Sequence, residues 1–167
     1  MAIRLKTFSY RFSEELFNSR LPLKQEIENI LYAACENLSI LNRRKFNEVL
    51  NDLFLQQNWE SQPRVSPDMQ AYSKFDFLKD RIAIEVQFGH ASFLGTDLLK
   101  FQMASYSNLD LIDFGVYITA TKGLQKYLYR QYEHHWDGSL TFEKVEKYLP
   151  YYKSAIQVPI YVIGIDI

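Results

Sequence analysis

The stretch that decides the fold is RIAIEVQF, at residues 81–88. Apolar residues recur there at every second position, and Glu85 and Gln87 stand between them. Because successive side chains of a strand point to opposite faces, this alternation predicts a strand with one apolar and one polar face. The apolar face carries Ile82, Ile84, Val86 and Phe88, and the other face carries Ala83, Glu85 and Gln87.

The residues before this strand also alternate, and Lys79 and Asp80 suit a two-residue hairpin turn. That turn pairs residue 76 with residue 83, so Asp76 lies diagonally across from Glu85, roughly 7 Å away. Two carboxylates so close repel each other unless a cation lies between them, and Mg²⁺ takes one or two carboxylates together with waters and phosphate oxygens. The alternative is a half-exposed hairpin whose polar face meets water.

The rest of the chain predicts an α/β layered domain built on a small mixed sheet, because helical patterns precede, separate and follow a few strands. A stretch with two prolines, residues 60–70, is predicted to be a loop, as is 133–140. Helices are predicted over 23–38, 43–59, 93–107, 122–132 and 141–150, and further strands over 113–121 and 157–165.

The composition indicates one compact globular domain over residues 1–167, with 47% hydrophobic and 16% aromatic residues. The single cysteine, Cys35, excludes an internal disulfide and a cysteine-rich zinc site. Residues 1–12 carry charges where a signal peptide has an apolar run, so we expect a soluble, cytoplasmic protein without a membrane span. The formal charge of −1 neither indicates nor excludes a nucleic-acid partner.

The hairpin residues resemble the active site of the PD-(D/E)xK nuclease superfamily, in the variant that has Gln in place of the usual Lys. The sequence is similar to the BglII/BstYI-type type II restriction endonucleases, above all to the BstYI type over residues 75–107, and more loosely over 112–119 and 158–165. Upstream, Asn47 precedes Trp59 by twelve positions, as in the corresponding helix of that family. Residues 1–42 match only as a helix in the right place.

This resemblance implies a PD-(D/E)xK core with a small mixed β-sheet flanked by helices. It implies a type II site-specific deoxyribonuclease that uses Mg²⁺ to hydrolyse double-stranded DNA at a short palindrome with a GATC core, leaving 5′-phosphate ends. A homodimer reads the two half-sites, and a DNA methyltransferase protects the same site. The alternatives are a nuclease of the same superfamily in DNA repair or processing, and a catalytically silent DNA-binding module.

Carried over residue by residue, Asp76 is the principal Mg²⁺ ligand, with Glu85 and the carbonyl of Val86. Glu85 and Gln87 then hold and orient the attacking water. Because an amide neither takes a proton nor carries a positive charge, Gln87 leaves deprotonation to the metal or to a phosphate oxygen. Asn47 belongs to the outer part of the site, or is simply an exposed polar residue on a helix.

Two segments are implied to touch bases. His90 and Ser92 follow the catalytic strand, and His90 stands at the position that the family uses for outer-base contacts, where its members have Asn or Lys. The alternative for His90 is a polar residue near the cleft without a reading role. The second segment is the loop 133–140, in which the candidate readers are Asp137, Gly138 and Ser139.

Two further features have more than one interpretation. Adjacent histidines at 134 and 135 have no third ligand in view, which favours solvent or phosphate contacts over a metal pair. The apolar helix 94–107 is a candidate dimer surface, although a buried core helix has the same pattern.

Overall fold

The computed structural model describes residues 2–36, 38, 42–66, 73–136, 138 and 140–167. They form a six-stranded sheet in the order β1-β6-β5-β4-β3-β2. The strands are β1 Arg4–Tyr10, β2 Glu60–Ser61, β3 Phe77–Lys79, β4 Ile82–Val86, β5 Phe114–Ala120 and β6 Ile160–Asp166. The helices are α1 Ser13–Asn18, α2 Leu21–Cys35, α3 Arg43–Gln56, α4 Phe93–Tyr106, α5 Lys122–Tyr132 and α6 Phe142–Tyr148, followed by a 3₁₀ helix Leu149–Tyr152.

The sheet is mixed, with a parallel centre and antiparallel edges. Strands β4, β5 and β6 run parallel, whereas β1 pairs antiparallel with β6, and β3 pairs antiparallel with both β4 and β2. All seven residues of β5 and all seven of β6 are buried. Their nearly continuous apolar sequences are those of strands covered on both faces, which is typical of parallel strands.

Helices cover the sheet on two sides and divide the core into two clusters. Ile82 and Ile84 pack into the cluster formed with α1, α2, α3 and α5, whereas Ala83 packs into the one formed with α4 and α6. The alternation predicted for the strand is therefore confirmed. Glu85 points to the α4 side, and the elements on that side form its surroundings.

The predicted turn of the β3–β4 hairpin is wrong by one residue. The observed pairs are Phe77 with Ile84, Leu78 with Ala83 and Lys79 with Ile82, so the turn consists of Asp80 and Arg81. Both turn residues have positive φ, 47° and 64°, as the two central positions of a type I′ turn require. One further step in this register brings Asp76 opposite Glu85, and not diagonal to it.

Several element boundaries differ from the sequence-based predictions. The first predicted helix lies at Leu21–Cys35, with Pro22 in its first turn, where a missing N–H costs nothing. Strand β1 and helix α1 were not predicted, and β2 lies in the expected loop. Residues 37, 39–41 and 67–72 lie outside the described part of the chain. Within that part, every helix is too short or too polar to cross a bilayer.

Candidate active site

Asp76 lies at the point where β3 separates from β4. Its backbone N–H donates to the Ile84 carbonyl at 3.1 Å, and its Oδ2 accepts from the Val86 N–H at 2.7 Å. The carboxylate thus takes the place of the backbone acceptor that a continuing strand would offer. Because the N–H and C=O of an extended residue point to the same side, the Val86 carbonyl lies on the side of Asp76.

Gln62 holds the same carboxylate from the opposite side and was missed by the sequence analysis. Its side-chain Nε2 donates to Asp76 Oδ1 at 3.1 Å, and its backbone N–H donates to the Asp76 carbonyl at 3.0 Å. Gln62 adopts a left-handed backbone with φ of 57°, which is uncommon outside glycine. Its only sequence signal is its place in a turn-rich segment before the hairpin.

Glu85 is buried, with 5% of its surface exposed, and faces the ammonium of Lys100. Lys100 Nζ lies 2.5 Å from Glu85 Oε1. Burial raises the pKa of Glu85 well above its usual range, the charge of Asp76 raises it further, and Lys100 opposes both. Burial also raises the pKa of Asp76, against the hydrogen bond from Val86. In the absence of a metal ion, the raised pKa values therefore favour a bound proton on this pair of carboxylates.

Gln87 is held by two protein contacts. Its Oε1 accepts from the Gly89 N–H at 2.9 Å, and its Nε2 lies 3.4 Å from Asp97 Oδ2 on α4. The same Asp97 oxygen accepts from the Tyr117 hydroxyl at 3.0 Å. The sequence analysis assigned no role to Asp97 or Lys100. Two charged residues three positions apart within an apolar helix were the available signal.

Asn47 lies at the mouth of this site. A cleft of about 260 Å³ is lined by Asn47 and Asn51 of α3, by Gln62, and by Asp76 and Val86 of the hairpin. Helix α3 therefore forms the wall opposite Asp76, whereas Glu85 points to the α4 side and does not line this cleft. Asn47 is exposed on α3 and lines this cleft, so its part in the site stays a prediction.

The donors at the point where the hairpin strands separate fit a Mg²⁺ ion, and Asp76 and Val86 among them line this cleft. Asp76 and Glu85 supply carboxylates, and Val86 supplies a carbonyl on the same side as Asp76. Mg²⁺ commonly binds through one or two carboxylates and keeps several waters. In the part of the chain that the structure describes, no group of three or more His, Cys, Asp or Glu side chains is placed to hold a metal ion, so a cage made wholly of such side chains is not formed there.

His90 and Ser92 both lie exposed in the segment between β4 and α4. The backbone N–H of Ser92 donates to His90 Nδ1 at 3.2 Å, and the Ser92 hydroxyl lies 2.8 Å from the same nitrogen. A ring nitrogen that accepts is unprotonated, so these bonds assign the proton of the neutral ring to Nε2. His90 thereby presents a donor outward.

The loop after α5 approaches the segment that follows β4 through Gly138. A Cβ added there would lie 2.2 Å from the Phe88 carbonyl oxygen and 2.4 Å from that of Gly89. The Leu140 N–H also donates to the Gly89 carbonyl at 3.1 Å. Asp137 and Ser139, the other two candidate readers, lie outside the described residues.

Basic and aromatic side chains of α5 border the same loop. A groove of about 300 Å³ is lined by Lys122, Lys126, Tyr129 and His135. The His135 ring stacks obliquely on Tyr129, with ring centroids 5.2 Å apart. Two lysines beside a candidate recognition loop are suited to phosphate contacts.

Comparisons with known proteins bear on the family and the fold of the chain. The family model described as restriction endonuclease BglII/BglIII matches residues 5–165. The crystal structure of restriction endonuclease BglII complexed with a DNA 16-mer is similar, with a TM-score of 0.74 and 21% identity over 98% of this chain and 78% of that chain. The predicted fold class is confirmed by that likeness. No curated protein sequence matches significantly.

The family match also extends the resemblance inferred from the sequence. It begins at Leu5, in β1, whereas the resemblance within residues 1–42 had been limited to a helix. The N-terminal strand is therefore part of the shared pattern.

Proposed function

The chain belongs to the BglII/BglIII restriction endonuclease family, and from this premise we propose that it uses Mg²⁺ to cleave double-stranded DNA at a short palindrome. The observation that carries the proposal is the meeting of Asp76, Glu85 and the Val86 carbonyl where the hairpin strands separate. A half-buried carboxylate that lines a cleft, next to a buried one, with the pKa values of both raised, is typical of a functional site and supports a bound cation.

In this proposal Asp76, Glu85 and the Val86 carbonyl hold the metal. When bound, the ion supplies positive charge next to the scissile phosphate and lowers the pKa of water. Glu85 and Gln87 orient the water for in-line attack, which leaves 5′-phosphate and 3′-hydroxyl ends. Gln87 only positions the water and does not deprotonate it, because its amide does not accept a proton. Asn47 contacts the DNA backbone or the bound waters from the α3 side of the cleft.

We propose that a GATC core is read by the loop 133–140, with Asp137, Gly138 and Ser139 as its readers. The close approach of Gly138 to the end of β4 supports a link between base contact and the cleavage site. His90 reads the outer pair. With the proton on Nε2, it donates to a major-groove acceptor, such as N7 or O6 of guanine. Ser92 fixes the ring in that tautomer.

We propose a homodimer, because one hairpin cuts one strand and a palindrome has two-fold symmetry. Helix α4 supports this proposal. Its inner face is buried, yet Phe93, Leu99 and Tyr106 on the same helix are 52%, 51% and 58% exposed. Exposed apolar side chains on a helix of this kind suit a second copy of the chain.

The proposed activity also implies a cellular setting. A nuclease that cuts every unprotected copy of its site would cut the host chromosome, so a DNA methyltransferase of the same specificity is its functional partner. The protein then works in the cytoplasm, with residues 1–167 acting as one endonuclease domain.

Cleavage of unmethylated plasmid DNA in the presence of Mg²⁺ tests the proposal. We expect discrete fragments whose ends map to one palindrome and ligate without added kinase, as 5′-phosphate ends do. A smear would favour a processing nuclease, and DNA binding without cleavage would favour a silent binding module.

Asp76→Ala and Asp110→Asn form the matched pair for this experiment. Asp110 is an exposed carboxylate at the far end of the hairpin, bonded to Arg81 at 2.7 Å. We expect Asp76→Ala to lose cleavage and Asp110→Asn to keep it. Equal cleavage by Asp76→Ala and the wild type would remove the metal site from the proposal.

A further inference from the structure

Lys100 on α4 is a buried cation beside the proposed catalytic residues. Its side chain is 12% exposed, and its Nζ lies 2.5 Å from Glu85 Oε1 and 3.2 Å from Asp97 Oδ1. It also donates to the Lys74 carbonyl at 3.0 Å. The ammonium therefore has one carbonyl acceptor and two carboxylates within ion-pair distance, which together restrict the position of the side chain.

Asp97, one helical turn earlier, extends the same support to the next polar residue of the catalytic strand. Its Oδ1 faces Lys100, and its Oδ2 accepts from Tyr117 at 3.0 Å and lies 3.4 Å from Gln87 Nε2. The α4 pair thus contacts both polar side chains of β4 and the segment after it. Lys100 holds Glu85, and Asp97 holds Gln87.

The charges of this cluster do not balance. Among the residues that the structure describes, Asp76, Glu85 and Asp97 interact with one another and with one cation, Lys100, so this group of four carries two negative charges when fully ionised. Gln87 adds none. One divalent cation neutralises the cluster, whereas removal of Lys100 would leave three negative charges around the same cleft.

We propose that Lys100 is a positioning residue of the nuclease site, which orients Glu85 for its contact with water and adjusts the cluster to the charge of one divalent cation. The inference rests on the proposed function, because it assigns Glu85 its role there. Lys100 itself lies behind Glu85 and acts through it.

A second lysine of the same hairpin offers a matched control. Lys79 Nζ lies 2.8 Å from Glu26 Oε1 and donates to the Gln57 carbonyl at 2.8 Å, and its side chain is 21% exposed. This ion pair links β3 to α2 and contributes nothing to the cleft. Its removal breaks the pair with Glu26, the bond to the Gln57 carbonyl and the contact with the Trp59 ring, none of which lines the cleft.

The test compares Lys100→Met, Lys100→Arg and Lys79→Met in cleavage kinetics, in calorimetric Ca²⁺ titration of the DNA-free protein at pH 8.5, and in thermal unfolding. Lys100→Met should lower kcat about 100-fold with little change in KM. Ca²⁺ should bind it about tenfold more tightly, because the cluster has lost its cation. Lys79→Met should lose stability and keep both wild-type kcat and wild-type Ca²⁺ affinity.

Lys100→Arg separates charge from position. Arg keeps the charge with a different donor geometry, so we expect wild-type Ca²⁺ affinity with kcat about tenfold lower. This variant also decides the matter if Lys100→Met does not fold. A kcat for both Lys100 variants within about threefold of wild type, while Asp76→Ala is inactive, would overturn the positioning role and leave the proposed function intact.

The Ca²⁺ titration does not depend on cleavage. Unchanged or weaker Ca²⁺ binding by folded Lys100→Met would overturn the charge role. A wild-type protein that binds Ca²⁺ but does not cut DNA in the presence of Mg²⁺ would instead count against the proposed function.

Discussion

Two clusters of charge lie at opposite ends of the β3–β4 hairpin. At the turn, Arg81 Nε lies 2.8 Å from Asp113 Oδ1, Arg20 contacts the other oxygen of Asp113, and Arg81 also pairs with Asp110. At the open end, Asp76, Glu85 and Asp97 share one lysine. The first cluster is partly exposed and balanced, with two guanidinium groups for two carboxylates. The second is buried and unbalanced.

The pKa values of the two clusters move in opposite directions. Although burial alone would raise the pKa of Asp113, hydrogen bonds from Arg81 and Arg20 lower it. At the open end, burial and like charge raise the pKa values of Asp76 and Glu85. Balanced charge stabilises a fold modestly, whereas buried unbalanced charge is destabilising and persists where it has a use. The contrast therefore favours a structural role for the charges at the turn, and it supports the proposed cleavage site at the open end, where the strands separate.

The largest expected effect is that of Glu85→Gln. We expect cleavage to fall about 1000-fold, because the amide no longer attracts the cation or aligns water. The same change should stabilise the metal-free protein, since it removes a buried negative charge next to Asp76. Plasmid cleavage and urea unfolding without divalent ions measure the two effects.

The two readouts for Glu85→Gln move in opposite directions only if the open end is a functional site. Loss of both cleavage and stability would mean that Glu85 and Lys100 form an ordinary structural ion pair. The charges at both ends of the hairpin would then have a structural role.

Gly138→Ala is expected to have the next largest effect, because the added Cβ would collide with backbone carbonyls of residues 88 and 89. The loop or the end of the catalytic strand must shift, and a displacement of about 1 Å at a reacting centre costs about 100-fold in rate. Gly95→Ala on α4 is the control, since nothing lies within 4 Å of its added Cβ. Cleavage rates and melting temperatures of both variants test this coupling. Wild-type cleavage by Gly138→Ala would separate the loop from the site.

The sequence predicted the two faces of β4 correctly, because period-two alternation is a local property of residues 82–88. It missed the register, since the turn uses two non-glycine residues of positive φ. Arg81 is held there by Asp110 and Asp113, about thirty positions along the chain. Strand β1 escaped notice because an edge strand with charged residues lacks a clear apolar alternation.

The contacts that support the candidate site could likewise not be predicted from the sequence. Asp97 and Lys100 read as polar positions of an apolar helix, and Gln62 as part of a loop. Only the packing of α4 and of β2 against the hairpin brings them to Glu85 and Asp76.

The pH dependence of unfolding should distinguish the two ends. Raised pKa values of Asp76 and Glu85 mean that their ionisation, as pH rises through those values, destabilises the metal-free fold. A bound cation offsets that loss, so Ca²⁺ should raise the melting temperature by about 5 °C at pH 8.5 and little at pH 5. Asp76→Asn should abolish most of this gain. An equal Ca²⁺ effect at both pH values would contradict the raised pKa values.

Asp113→Asn should have the smallest effect, and it tests the turn cluster directly. The pKa of Asp113 is lowered, so its stabilising contribution is present above the unfolded value and is lost as pH falls through the folded one. Because solvent screens such partly exposed pairs, we expect the free energy of unfolding to fall by less than about 1 kcal/mol, with unchanged cleavage. The loss should shrink in about 1 M NaCl, where the Debye length is roughly 3 Å. A large, salt-independent loss of unfolding free energy together with slower cleavage would mean that the turn contributes to activity. The two ends of the hairpin would then not differ in role.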